Sequence, residues 1–169
     1  DILWDVELAD YRVGYAATLA PLVLDGKVIV GISGGEYRTR GFIDAYDPVS
    51  GEQLWRFNTI PGPGEPGSET WPDDPEVLAA GGGGTWMNGS FDPELNLIYW
   101  GVGNPNPDYY GDARPGDNLY SNSLVALDAD TGDLRWHYQF TPHDLNDWDS
   151  NHMPVLAEVN WQGRLRQVV

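Results

Sequence analysis

The sequence predicts an all-β chain of tandem four-stranded antiparallel units, and three observations lead there. A phrase is written twice: Ala45–Trp55 and Ala126–Trp136 both read Ala-x-Asp-x-x-Ser/Thr-Gly-x-x-x-Trp, and self-similarity at fixed offsets marks a repeat architecture. Each copy lies between runs of strand composition, Gly41–Tyr46 and Gln53–Phe57 in the first, Asn122–Leu127 and Leu134–Phe140 in the second. Each is preceded by a further pair of such runs, Ala20–Leu24 with Lys27–Gly31 and Gly89–Asp92 with Leu97–Gly101.

Taken in order, Ile2–Leu8 reads as the last strand of a preceding unit. The first complete unit follows over residues 16–60, with the turn Asp25-Gly26 joining its first two strands. In the repeated phrase, Asp47 and Asp128 can bond nearby backbone amides, while Gly51 and Gly132 can take the positive φ of a tight turn. The turn thereby fixes where the Trp lands. A Gly- and Pro-rich insert, Pro61 to Gly84, separates this unit from the second, over residues 85–140, whose first turn is Pro93–Asn96 and which carries its own insert, Pro105 to Asp117. A third unit starts within residues 150–169: His152–Val159, a turn at Asn160 to Gly163, then Arg164–Val169. Two unrelated hairpins would not share five identity classes at fixed offsets.

Four-stranded units in tandem, each with a Trp at a fixed place, predict a β-propeller rather than an open solenoid. Closing one takes at least about four blades, so two complete blades with partial flanking ones predict a piece of a longer protein.

With 169 residues, eight Trp and nine Tyr, apolar surface for packing between sheets is not limiting. The formal charge of -17 argues against nucleic acid or an anionic membrane as partner. There is no Cys, hence no disulfide and no thiolate metal site in this stretch. No apolar run has the length of a membrane span, and no signal peptide is visible.

Inserts of a propeller project from one rim toward the axis, so the chemistry is sought there and at strand ends. Four segments carry it. In Gly31–Gly41 a Gly pair precedes Glu36, whose oxygens suit a hard cation; alone, it reads equally as a solvated acid in a turn. In Gly81–Trp86 four glycines let backbone approach something flat on which Trp86 could stack, or they form a flexible linker. Gly101–Pro107 ends a strand with Asn104, an amide oxygen for the same cation or part of an ordinary Asn-Pro turn. Thr141–Asn151 places Asp144, Asp147 and Asp149 in one loop, any of which could act as a general base once burial or a cation sets its pKa; an acidic surface loop is the plainer account.

Together and in this order, these segments resemble the pyrroloquinoline quinone (PQQ)-dependent alcohol dehydrogenases of the methanol and ethanol dehydrogenase type, over almost the whole chain. The resemblance implies an eight-bladed parent in which the repeated phrase is the tryptophan-docking motif that locks blades together. It implies Glu36, in Ser33-Gly-Gly-Glu36, and Asn104, in Gly103-Asn-Pro105, as metal ligands. It also implies Ser33, Gly34 and Gly35 against the quinone carboxylates, Thr18 beside the same cofactor, Trp86 as the floor of the quinone ring, and Asp149 as the catalytic base, with Asp147 a near rival. Lanthanide-using members carry a second aspartate two positions after the base; Asn151 stands there, which favours calcium over a lanthanide, whereas with Asp147 as the base Asp149 itself would fill that second position.

The implied reaction is oxidation of an alcohol to an aldehyde or ketone, with a cytochrome c as electron acceptor and the periplasm as compartment. The family's adjacent-cysteine disulfide and an arginine near the quinone carbonyls are not in this stretch. Propellers with similar repeats also serve as non-catalytic scaffolds, of outer-membrane assembly or sensor type. What separates the readings is whether Glu36, Trp86, Asn104 and Asp149 converge, because a scaffold has no use for that set.

Overall fold

The computed structural model describes residues 1–24 and 26–169; Asp25, half of the expected Asp25-Gly26 turn, lies outside the described residues. Strands β1 (Leu22–Leu24), β2 (Lys27–Gly31), β3 (Phe42–Tyr46) and β4 (Gln53–Asn58) form one antiparallel sheet in chain order. Strands β5 (Ser90–Asp92), β6 (Leu97–Gly101), β7 (Ser123–Asp128) and β8 (Leu134–Gln139) form a second in the same way. A hairpin of β9 (Ala157–Trp161) and β10 (Arg164–Val168) follows.

The repeated phrase folds the same way twice. Asp47 Oδ1 accepts from the amides of Val49 and Ser50 at 2.9 and 2.7 Å, and Asp128 Oδ1 from those of Asp130 and Thr131 at 2.9 and 3.1 Å. Gly51 and Gly132 follow with φ of 74° and 75°, the left-handed conformation that glycine adopts without a Cβ penalty. In both sheets the register shifts just after the phrase's Ala, at Ala45/Tyr46 and at Ala126/Leu127, so the strand leading to each Trp bends alike.

The two sheets pack face to face. Ile29, Ile43, Ala45 and Trp55 of the first meet Ile98, Trp100, Val125 and Leu127 of the second in one buried cluster. Trp55 extends this contact to the next turn: its Nε1 donates to the Ala129 carbonyl at 3.2 Å, and a Cβ on Gly132 would lie 2.6 Å from its ring. Trp4 makes the corresponding approach to the first turn, donating to the Pro48 carbonyl at 2.9 Å beside Gly51.

Residues 2–8 pair with no strand among the described residues; the last strand of a preceding unit takes its ladder from that unit, and toward the first sheet the segment presents Trp4 and the Leu8 carbonyl, which accepts from Arg56. One expectation needs correction. The last hairpin starts at Ala157 rather than His152 and turns at Gln162-Gly163, both at positive φ, since Pro154 has no amide to give a ladder. The insert after β4 also holds a helix the sequence did not announce, α1 (Pro75–Ala79), started by Asp74, whose carboxylate accepts from the Glu76 amide at 2.9 Å. It packs Leu78 with Ile60 and Trp71 in a small satellite core. Five residues are too few for a helical period to show.

Candidate active site

The site is assembled where the two inserts and the loop after β8 meet the ends of β2 and β6. Beyond β2, Ser33 forms a bridge with Ala16, its hydroxyl donating to the Ala16 carbonyl at 2.6 Å. Gly34 is buried behind it, and a single 3-10 turn, Gly35–Tyr37, presents Glu36 to solvent.

The four-glycine run is a buried spine, and the flexible-linker alternative does not hold. Gly82 bridges Arg40 on one side and Pro105 on the other. The Gly83 amide donates to the Asn104 carbonyl at 2.7 Å, and the Gly84 carbonyl accepts from Gly103 at 2.8 Å. Glycine is required because two backbones and an indole converge here: a Cβ on Gly103 would fall 2.4 Å from the Trp86 ring. Trp86 therefore lies against bare backbone, half-buried, with the rest of its surface open to the cleft.

That cleft is small and is lined by Gly35, Glu36, Trp86, Asn104 and Asp149, together with Gly84 and Asp108. Five of the eight residues singled out from the sequence thus converge. Ser33 and Gly34 stand directly behind it on the same segment, whereas Thr18 is exposed and does not line it.

Asn104 ties the loop to the cleft: its Oδ1 accepts from the Asp149 amide at 2.9 Å, and its Nδ2 donates to the Asp147 carboxylate. The Asp147 carboxylate also accepts from the Tyr109 hydroxyl at 3.1 Å. Asp147 is thus occupied, whereas Asp149 Oδ1 is enclosed with no hydrogen-bond partner. Burial pushes the Asp149 carboxyl up to about 6, with the Asp147 charge adding to it, the Asn104 backbone opposing, and Glu36 and Asp108 adding further. Burial, then the charges of Asp147 and Glu36, raise Asp108 as well. An opposite charge seated among these carboxylates would reverse the direction for both.

Sequence reasoning missed Asp108, whose only mark was its place in the second insert. It also missed the packing role of Asn151, which is buried and donates from Nδ2 to the Gly84 carbonyl at 3.2 Å.

The cleft presents oxygen donors of carboxylate and amide type, and Asn104 Oδ1 keeps a second lone pair beyond the one that the Asp149 amide engages. No lysine or arginine lines it. This donor set suits a hard cation. Among the described residues no three Asp, Glu, His or Cys side chains are grouped closely enough to hold a metal alone, so an ion here would draw on the amide oxygen and on a bound ligand.

Residues 3–169 match the family model described as PQQ glucose/ethanol/alcohol dehydrogenase, beta-propeller domain. The quinoprotein alcohol dehydrogenase PedH of Pseudomonas putida is 38% identical over an alignment covering 99% of this chain and 30% of that protein. The quinohemoprotein alcohol dehydrogenase ADH-IIG of Pseudomonas putida is 42% identical, covering 98% of this chain and 25% of that one. The chain thus spans less than a third of the length of these relatives. Among solved structures, a europium-containing methanol dehydrogenase superposes with a TM-score of 0.91 at 35% identity, covering 98% of this chain and 31% of that one.

Proposed function

The chain belongs to the PQQ-dependent glucose, ethanol and alcohol dehydrogenase β-propeller family, and from that membership we propose that it forms part of an enzyme oxidising alcohols to aldehydes or ketones. The observation that carries this reading is the convergence of Glu36, Asn104, Trp86 and Asp149 on one cleft, with Asp149 Oδ1 enclosed and unpartnered.

Glu36 and Asn104 would hold the cation, and Trp86, lying against Gly84 and Gly103, would give the quinone ring an apolar floor. Ser33, Gly34 and Gly35, with Thr18 on the neighbouring segment, are assigned to the cofactor's carboxylate side. When bound, the quinone with its cation supplies the two-electron acceptor that no side chain of this chain can be. Asp149 takes the hydroxyl proton of the alcohol at its free carboxylate oxygen. Asp147 is the weaker candidate because Asn104 and Tyr109 already engage it.

Calcium is the expected ion, since Asn151 stands two positions after the base, where lanthanide-using members of the family carry a second aspartate. The family also supports a cytochrome c as electron acceptor, a relative being methanol dehydrogenase [cytochrome c] subunit 1, and a periplasmic setting.

In the holoprotein, Glu36→Ala is expected to abolish cation-dependent oxidation of ethanol with an artificial electron acceptor. Wild-type turnover in that variant would overturn the assignment. Titrating the metal-free protein with calcium and with lanthanum, read by the absorbance of bound quinone, decides the ion.

A further inference from the structure

Arg114, in the second insert, has no exposed surface. Its Nε donates to the Pro107 carbonyl at 2.9 Å, Nη1 to Asn118 Oδ1 at 2.9 Å, and Nη2 to the carbonyls of Asp108, at 2.9 Å, and Asp144. No carboxylate is hydrogen-bonded to it among the described residues. A buried cation is costly unless its donors are satisfied, and here they are satisfied mainly by backbone. One rigid fork therefore fixes two separate walls of the cleft: the insert that carries Asp108 and the loop that runs from Asp144 to Asp149.

That loop needs holding. His143, Asp147 and Asp149 have φ of 48°, 61° and 32°, a left-handed conformation that costs a non-glycine residue free energy and persists only where its surroundings impose it. Asp144 imposes part of it. Its buried carboxylate accepts from the amides of Asn146 and Trp148, both at 2.9 Å, and from Asn122 Nδ2 at 2.8 Å. The loop is then anchored at its far end by the Asp149 amide on Asn104. Asp144 itself is placed by Asn122 on its carboxylate, by the neighbouring His143 amide on the Asp117 carbonyl at 3.1 Å, and by Arg114 on its carbonyl, and of these only Arg114 also reaches the Asp108 wall.

We propose that Arg114 is a positioning residue: acting through the carbonyls of Asp108 and Asp144, it fixes the distance between the insert wall and the strained loop, and with it the place of the Asp149 carboxylate. The proposal rests on the reading of Asp149 as the base.

The test is steady-state oxidation of ethanol and C1-deuterated ethanol by the holoenzyme. Arg114→Lys keeps the charge but not the fork. It is expected to lower kcat by about ten- to hundredfold while bound quinone is retained, because small displacements of a reacting group cost that much. The KM for ethanol should change by less than about threefold, as for an interaction used in the transition state. The deuterium effect on kcat should rise as chemistry becomes limiting. Arg56→Lys, which weakens an ion pair between the exposed Arg56 and the buried Asp44 away from the cleft, should lower stability without altering kcat or the isotope effect.

An unchanged kcat in Arg114→Lys, or a loss matched by lost quinone absorbance, overturns the proposal. If that variant does not fold, Asn118→Ala, which removes the side-chain acceptor of the fork's Nη1, decides: a lowered kcat with a raised isotope effect and retained quinone supports it, and an unaltered kcat overturns it. Full turnover in Asp149→Asn would sink the base assignment itself, which separates the two failures.

Discussion

Trp55 and Trp136 occupy the same place in the same phrase, on equivalent strands in equivalent register, opposite Ala45 and Ala126. Trp55 is 8% exposed and Trp136 is 38% exposed. Trp55 lies on the Gly132 turn of the next sheet and donates to a carbonyl there, whereas Trp136 lies 5.7 Å from the Tyr99 ring of β6 and lines an open cleft with Leu156, Ala157 and Val168, the 169 residues holding no third copy of the phrase. Local sequence therefore delivers the indole to a fixed point, and the neighbouring turn decides what that delivery contributes to stability.

The most direct way to break the comparison is to remove each indole. Trp55→Ala is expected to cost about 3–5 kcal/mol, the range for emptying a packed aromatic site. In the 169-residue chain Trp136→Ala, already part solvated, should cost about 1 kcal/mol. Urea unfolding of both variants checks this, and equal losses would mean that docking on Gly132 adds nothing.

A finer cut separates the turn from what rests on it. Gly132 and Gly163 share φ, 75° and 76°, but a Cβ on Gly132 meets the Trp55 ring while one on Gly163 meets nothing within 4 Å. Gly163→Ala should cost about 1–2 kcal/mol from backbone conformation alone. Gly132→Ala should cost about 1–3 kcal/mol more, the usual range for overpacking. The difference between the two midpoints isolates the docking contact.

The smallest effect distinguishes the two turns electrostatically. The Arg135 guanidinium and the Asp130 and Thr131 amides hold Asp128 down to about 2, whereas Asp47 is lowered by the Ser50 and Val49 amides and the Ser50 hydroxyl, without an arginine. A carboxyl depressed in the folded state stabilises it above the unfolded pKa and loses that contribution as pH falls through the folded value. Asp128→Asn should therefore lower stability at neutral pH and flatten the acid dependence between about pH 4 and pH 2. Unfolding midpoints across that range read it directly.

The sheets were legible because their causes are local. The Asp-x-x-Ser/Thr-Gly turn and the alternation beside it act over a dozen residues, and β3, β4, β7 and β8 fall within a residue or two of the expected runs. Glu36, Asn104 and Asp149 were each ambiguous as local features, and only their order, through a resemblance, suggested a common site. Arg114 and Asp108 left no such trace: a buried arginine looks in sequence like any insert residue, since its partners are carbonyls present at every position.

The sequence alone determined the repeat, the turns, the all-β class and the delivery of Trp55 and Trp136, because backbone conformation follows from nearby side chains. Only the tertiary structure decided that Trp55 rests on the Gly132 turn, that the glycine run is a spine, and that Asp149 rather than Asp147 keeps a free oxygen. Each depends on segments far apart in sequence that pack within hydrogen-bond reach, and that proximity is a property of the folded chain.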